Sequence, residues 1–291
     1  MADIKSDKSE ILHYDNPDFP VFIRRNYIYY DEVFSDISIH WHDELEFIYV
    51  LSGDIKYRID EDVVTMKAGE GIFVNSRHLH LISAGTMDCI LLCIIFPPTI
   101  LCNTPYVTEK FVNPIITNQN LAYLMLSEKE PWQKLVLTHL HDIYRESLQQ
   151  NSEMKILASI YCLWDALSAH MDVKEGFRLK GGEELALMKK LIAYIGSHYE
   201  EKITLSALCE CAEIGKNKCT MLFQKYTNMS PLTYVSHYRL EKAMELLKNT
   251  DMSIAEVAYA VGFSGASYFS ESMKGYIGYT PREFRRRNRD E

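Results

Sequence analysis

Two different periods of apolar and polar positions run along this chain. From about residue 20 to residue 98, apolar residues alternate with polar ones in short runs broken by Gly, Asn and Asp, the period-2 pattern of strands. This spacing predicts strands over 36–42, 46–51, 55–59, 63–66 and 71–74. The unbroken apolar run Cys89–Phe96 reads as a strand buried on both faces. Many short strands without a helical period imply a small antiparallel barrel or jelly roll. Over 118–171 the period lengthens to that of a helix. Trp132, Leu135, Val136, Leu140 and Ile143 step along one helix, and Ile156, Ile160, Leu163, Trp164 and Leu167 along another. Charge and glycine interrupt the pattern at 173–182, VKEGFRLKGG, which reads as a linker. Helical periodicity resumes at 183 and continues to the end. The fold class expected is therefore multidomain α+β: a barrel over 1–117, a helical segment over 118–172, the linker, and an all-α domain over 183–291.

The all-α part contains a repeat. Residues 203–231 are matched by residues 252–281. Leu205 and Leu208 correspond to Ile254 and Val257. After one extra residue at the turn, Cys219, Phe223, Tyr226 and Pro231 correspond to Phe269, Met273, Tyr276 and Pro281. Each copy reads as a short helix, a tight turn and a longer second helix, the plan in which the second helix enters the major groove. Cys219, Leu222, Phe223 and Tyr226 form the apolar stripe of the first long helix. Its opposite face carries Lys216, Asn217, Lys218, Met221, Gln224 and Lys225. In the second copy Phe269, Met273 and Tyr276 face inward, leaving Ser267, Tyr268, Ser270, Glu271 and Lys274 outside. Ser253 to Glu256 spells a capping box, and Ser230-Pro231 and Thr280-Pro281 each spell a helix start. Gly262-Phe263 marks the second turn. A duplicated helical hairpin can also be a mere packing module, but two copies are too few for a solenoid.

Residues 239–287, RLEKAMELLKNTDMSIAEVAYAVGFSGASYFSESMKGYIGYTPREFRRR, resemble the C-terminal signature of the AraC/XylS family of transcription regulators. The resemblance covers about the last hundred residues. It implies double-stranded DNA as a partner, a homodimer formed through helices such as those at 118–171, RNA polymerase as a further partner, and a small-molecule effector, a sugar being the first guess. It does not carry over base contacts: Met221 and Glu271 stand where the family often has Arg. Glu271 either accepts a hydrogen bond from a cytosine amino group or faces water.

Charge sharpens this picture. The chain is net −9, yet residues 183–291 hold 15 Lys and Arg against 14 Asp and Glu, leaving 16 against 26 elsewhere. A near-neutral reader on an acidic partner argues against unspecific coating of nucleic acid. The run Arg282, Arg285, Arg286, Arg287 and Arg289 is open to two readings, with Arg285 and Arg286 as phosphate contacts or the run as a solvated tail. No apolar run approaches the roughly 20 residues of a membrane span, and MADIKSDKSE has no signal-peptide character. Seven scattered cysteines fit a reducing cytosol. Cys209 and Cys211 lie within a predicted helix and lack a second pair, so they read as helix residues and not as metal ligands. A cytoplasmic protein without a membrane partner is expected.

Within the strand-rich part lies His40-Trp-His42-Asp-Glu-Leu-Glu46, with Gly53 and His80 following. This resembles the first cupin motif, with His80 near the position of the fourth ligand. The second motif is degraded: Asn75-Ser-Arg-His78-Leu-His80 lacks the expected proline. His40 and His42 share a strand face and point into the barrel. His40, His42, Glu46 and His80 would suit a first-row divalent metal, but family resemblance favours an organic effector without cofactor or metal. His40, His42, Glu46, His78 and His80 then serve as polar groups of the pocket, with Arg24 and Tyr27 on the strand leading in. Two function classes follow: a ligand-responsive, sequence-specific regulator of carbohydrate or small-metabolite genes, named by resemblance an activator, or a metal-dependent cupin enzyme carrying a DNA-binding tail.

Overall fold

The structure, a computed structural model, describes residues 3–5, 7–29, 39–118, 120–171, 182–227 and 229–289. The expected linker at 173–182 lies outside the described residues except for its last position, as do residues 36–38 of the first expected strand. Two compact units are present: Met1–Ile4 with Ser9–Gly182, and Lys5–Lys8 with Glu183–Glu291.

Among the described residues the first unit contains ten antiparallel strands: β1 (Asp3–Ile4), β2 (Glu10–Ile11), β3 (Phe22–Ile28), β4 (Leu45–Ser52), β5 (Asp54–Ile59), β6 (Asp62–Lys67), β7 (Gly71–Val74), β8 (His80–Ala84), β9 (Cys89–Phe96) and β10 (Tyr123–Leu126). Strands β10-β7-β4-β9-β3 form one sheet, β6-β5-β8 a second, and β1-β2 a hairpin. The face between the two larger sheets is lined by Ile48, Val50, Ile55, Tyr57, Ile72, Val74, Leu91, Cys93 and Ile95. Leu45, Phe47, Phe73, Ile94 and Phe96 point the other way. β4 and β9 are covered on both faces, which is why the run Cys89–Phe96 shows no alternation. Residues 36–42 do not emerge as a strand where described: His40 and Trp41 make only isolated bridges, to His80 and Ser9. Gly53, the motif glycine, turns β4 into β5 at φ +77°, and a Cβ there would sit 2.0 Å from the Asp88 carbonyl oxygen.

After β9 come a 3-10 turn (Pro98–Leu101), α1 (Pro105–Val107), a π turn (Thr108–Val112) and α2 (Asn113–Ile116), followed beyond β10 by α3 (Pro131–Ser147) and α4 (Glu153–His170). Val136, Leu140 and Ile143 of α3 and Ile160, Leu163, Trp164 and Leu167 of α4 share one core with the outer face of the five-stranded sheet. Burying each such side chain contributes about 1.5–3 kcal/mol. The helices therefore cover the barrel. Leu135 departs from the expected stripe. It is exposed, and Leu137 is buried in its place, because the edge of the stripe that carries Leu137 is the one packed against the outer face of the five-stranded sheet.

The described residues of the second unit from 183 onward form helices and their connections: α5 (Gly182–His198), α6 (Leu205–Ala212), α7 (Lys216–Thr227), α8 (Pro231–Asn249), α9 (Ile254–Ala260), α10 (Ala266–Ile277) and α11 (Pro281–Arg289). The helix starts are those written in the sequence. Ser230 Oγ accepts from Thr233 N–H at 3.2 Å. Ser253 and Glu256 exchange both bonds of a capping box, at 2.7 and 3.2 Å. Thr280 and Glu283 form a second box, at 2.8 and 3.3 Å. The two turns differ. Glu213 takes the left-handed conformation in the first, whereas Gly262 does so at φ +83° in the second. Gly262 is also held close to backbone, since a Cβ there would lie 2.4 Å from the Tyr199 carbonyl oxygen. Replacing Gly262 by Ala should therefore destabilise the chain by about 1–3 kcal/mol. The control Gly265→Ala, at an extended residue facing open space, should change stability far less. Denaturant unfolding of both variants checks this, and equal effects would refute the close approach.

Candidate nucleic-acid interface and sensor site

α6–α7 and α9–α10 are two helix-turn-helix units joined by α8. Each second helix is oriented by what it buries: Cys219, Leu222, Phe223 and Tyr226 on α7, and Phe269, Met273 and Ile277 on α10. Tyr276, expected in that stripe, is half-buried against His237, ring centroids 4.2 Å apart. Ile277 takes the buried position. The faces left in solvent follow directly. On α7 they hold Lys216, Asn217, Thr220, Met221 and Gln224; on α10, Ser267, Tyr268, Glu271 and Lys274. Thr220 was not singled out from sequence, although its spacing from Asn217, Met221 and Gln224 places it on the same stripe.

Three expected contact residues are directed elsewhere. Lys218 and Lys225 both bond Glu184 of α5, Lys225 at 3.0 Å. Those bonds, Lys218's first, hold the Glu184 carboxyl below its ordinary range. Arg285 is turned inward: it donates to the carbonyl oxygens of Leu247 (3.4 Å) and Met252 (2.5 Å), bracing the α8–α9 connection. Two of its five N–H donors are thereby committed to the scaffold, and the side chain is half-buried. Arg287 lies over the Tyr279 ring at 4.1 Å. Arg282 and Arg286 remain exposed. Arg285→Ala should thus cost about 1–3 kcal/mol of stability by stranding acceptors. Arg286→Ala should leave stability unchanged and, if it meets phosphate, flatten the salt dependence of DNA binding by about 0.9 in log–log slope. Unfolding curves and binding at several salt concentrations separate the two, and a stable Arg285→Ala protein would contradict the bracing role.

In the first unit, His40, His42 and His80 converge. Their available ligand atoms lie within 4.8 Å of one another, and all three residues are buried. The backbone sets this up, since His40 and His80 exchange N–H···O bonds of 3.1 and 2.8 Å. His42 Nδ1 meets the Glu44 carbonyl at 3.2 Å and His80 Nδ1 the His78 carbonyl at 2.8 Å. A carbonyl only accepts, so each Nδ1 carries the proton, and in the neutral ring Nε2 presents a lone pair to the cluster. Glu46 stands 3.2 Å from His80 Nε2 and 3.8 Å from His42 Nε2. It is fixed by Tyr57 OH at 2.7 Å and Cys93 Sγ at 3.5 Å. Burial raises its pKa, the Tyr57 bond opposing. Burial, then the neighbouring His80 and His40, keeps His42 well below an ordinary imidazole.

Arg24, Tyr27 and His78 do not join this cluster. Arg24 pairs with Asp15 at 2.6 and 2.8 Å, Tyr27 is exposed beside Arg25, and His78 bonds Asp60 at 2.5 Å. Glu10 of β2, invisible to any motif, does approach: its Oε2 is 3.3 Å from His40 Nε2. Burial, then Glu46 and Glu44, raises its pKa to about 7. The donor set suits a first-row divalent cation. His42 Nε2 is buried without a hydrogen-bond partner among the described residues, and neutral imidazoles with a carboxylate are what such an ion binds.

Comparison with known proteins agrees with both units. Residues 208–287 match a helix-turn-helix domain family and residues 34–95 the cupin domain family. The HTH-type transcriptional regulator YdeC of Bacillus subtilis strain 168 is 30% identical over 260 residues, 87% of each chain. The melibiose operon regulatory protein of Escherichia coli K12 is 20% identical over 255 residues, 85% of this chain and 83% of its own. The regulator GbdR of Pseudomonas aeruginosa is 37% identical over 98 residues, 34% of this chain and 27% of its own. Among the described residues no helix is long and apolar enough to cross a membrane. A cupin unit followed by two helix-turn-helix units, aligned over most of its length with such a regulator, places this chain in the AraC/XylS family of DNA-binding transcriptional regulators.

Proposed function

We propose that this chain regulates transcription by reading one specific DNA site with α7 and α10, under control of a small ligand bound by the first unit. The observation that carries the proposal is the pair of solvent-facing stripes on the two second helices. Their chemistry suits base edges more than phosphate: Asn217 and Gln224 can pair with adenine, Met221 and Thr220 can touch a thymine methyl, and Glu271 can accept from cytosine. Lys216 and Lys274 flank them. With Lys218 and Lys225 tied to Glu184, the unspecific electrostatic share of binding is small. The role is regulatory and not enzymatic.

Dimerisation is supported by apolar side chains that α3 and α4 leave exposed, Leu135 and Met154, with Leu148 at the end of α3. Activation through RNA polymerase and carbohydrate target genes extend the family reading. For a sugar effector the support is the name of the melibiose relative. The imidazole cluster does not add to it, because donors within 4.8 Å of one another converge on a single ion and do not surround a sugar ring. Any effector shifts DNA affinity only by its differential preference for two arrangements of the protein, typically 1–3 kcal/mol.

The test is binding to a DNA fragment selected from a random pool. Asn217→Ala and Gln224→Ala should each cost about 1–3 kcal/mol on the selected fragment and little on random DNA. Equal losses on both would show that these side chains do not read bases.

A further inference from the structure

The sensor cluster includes one residue that the cupin pattern does not contain. Glu10 reaches His40 from β2, a strand of two residues. Its side chain is 11% exposed. The strand is held by β1, by the bridge from Ser9 to Trp41, and by the Glu10 N–H to the Trp41 carbonyl at 2.8 Å. We propose that Glu10 is a fifth protein ligand, beside His40, His42, Glu46 and His80, of a first-row divalent cation, whose binding pins residues 9–11 to the barrel. This deepens the ligand-control reading above and rests on the cation reading of that cluster.

Geometry and charge both argue for it. Two donors about 2.0–2.2 Å from one ion lie about 3.0–3.4 Å apart in tetrahedral or octahedral arrangements. Each carboxylate already has that spacing to one imidazole, Glu10 to His40 at 3.3 Å and Glu46 to His80 at 3.2 Å, with Glu46 3.8 Å from His42. The three imidazoles form the group whose ligand atoms all lie within 4.8 Å of one another, and the two carboxylates close onto it when the ion binds. His42 Nε2, whose side chain is 1% exposed, directs its lone pair at this space and finds no hydrogen-bond donor among the described residues. Facing a lone pair with a carboxylate is repulsive unless a positive charge lies between them. Three neutral imidazoles, two carboxylates and one divalent ion sum to zero, so the assembled group meets the low-dielectric interior without net charge. With Glu46 alone, one positive charge would remain. Five protein donors leave the sixth position of an octahedron for water or an anionic ligand. Glu10 is also the one donor supplied by a short terminal hairpin, so cation occupancy and the placement of that hairpin are linked and must affect each other equally.

The experiment is titration of the chelator-stripped full chain with Co(II), read by visible absorption and by hydrogen exchange of the backbone amides of residues 9–11. The chain should bind one equivalent, with slowed exchange at those amides. Glu10→Gln, which keeps size and hydrogen-bonding capacity, should weaken Co(II) binding at least 10- to 100-fold, the range seen when a mere outer-shell partner is lost. It should also intensify the visible bands as coordination number falls, and abolish the cation-dependent protection. His42→Ala, with circular dichroism as the folding check, should remove binding. Glu10→Gln with wild-type affinity and spectrum would overturn the role of Glu10 while leaving the cation reading intact. Failure of the unaltered chain to bind Co(II), or equal binding by a folded His42→Ala protein, would overturn both. Binding to the selected DNA fragment, scored in the same preparations, tests the regulator reading separately.

Discussion

Each recognition helix is oriented by its buried stripe. Cys219, Leu222, Phe223 and Tyr226 leave α7 only one face for solvent, and Phe269, Met273 and Ile277 do the same for α10. Because side chains advance 100° per residue, fixing the buried stripe fixes which side chains stand opposite. Everything around these helices serves that orientation. The capping boxes at Ser253 and Thr280 supply side-chain acceptors for the free backbone N–H groups at the helix starts. Gly262 lets the second turn pass against Tyr199, and Arg285 ties the connection between α8 and α9. Even the lysines of α7 are drawn into the scaffold by Glu184. What remains exposed is short on charge and rich in amide, hydroxyl and thioether groups, a surface better suited to discriminating bases than to gripping phosphate.

In the other unit the governing constraint is electrostatic. Two sheets and the covering helices α3 and α4 exclude water from most of the barrel. Imidazole and carboxylate groups placed there must satisfy one another or share a cation. The His40–His80 backbone pairing, the Glu44 and His78 carbonyls, and Tyr57 with Cys93 fix the rings and the Glu46 carboxylate before any ligand arrives. Such preorganisation is what a ligand site needs, because ordering is then not charged against binding.

Local, periodic features were legible in the sequence, and long-range ones were not. The helix starts, the buried stripes and the run Cys89–Phe96 declare themselves within a few residues. The grouping of His40, His42, Glu46 and His80 was legible because a motif encodes it. Arg24 and His78 stand apart from the cluster because their side chains bond Asp15 and Asp60, partners that no spacing reveals. The inward turn of Arg285 depends on carbonyls 33 and 38 residues away, and Glu10 arrives from a hairpin that carries no motif. Leu135 shows a finer limit: the helix was evident, but which edge of its stripe faced the sheet was decided by packing against β-strands and not by period.

On the proposed function, α7 and α10 read one DNA site together. Hydroxyl-radical footprinting on the tightest fragment from a random pool tests it most directly. Two protected segments should appear about 10–10.5 base pairs apart, one helical turn, and exchanging the exposed residues of α10 for alanine should erase one segment and spare the other. A single short protected segment, or two that fade together with every substitution on either helix, would contradict it.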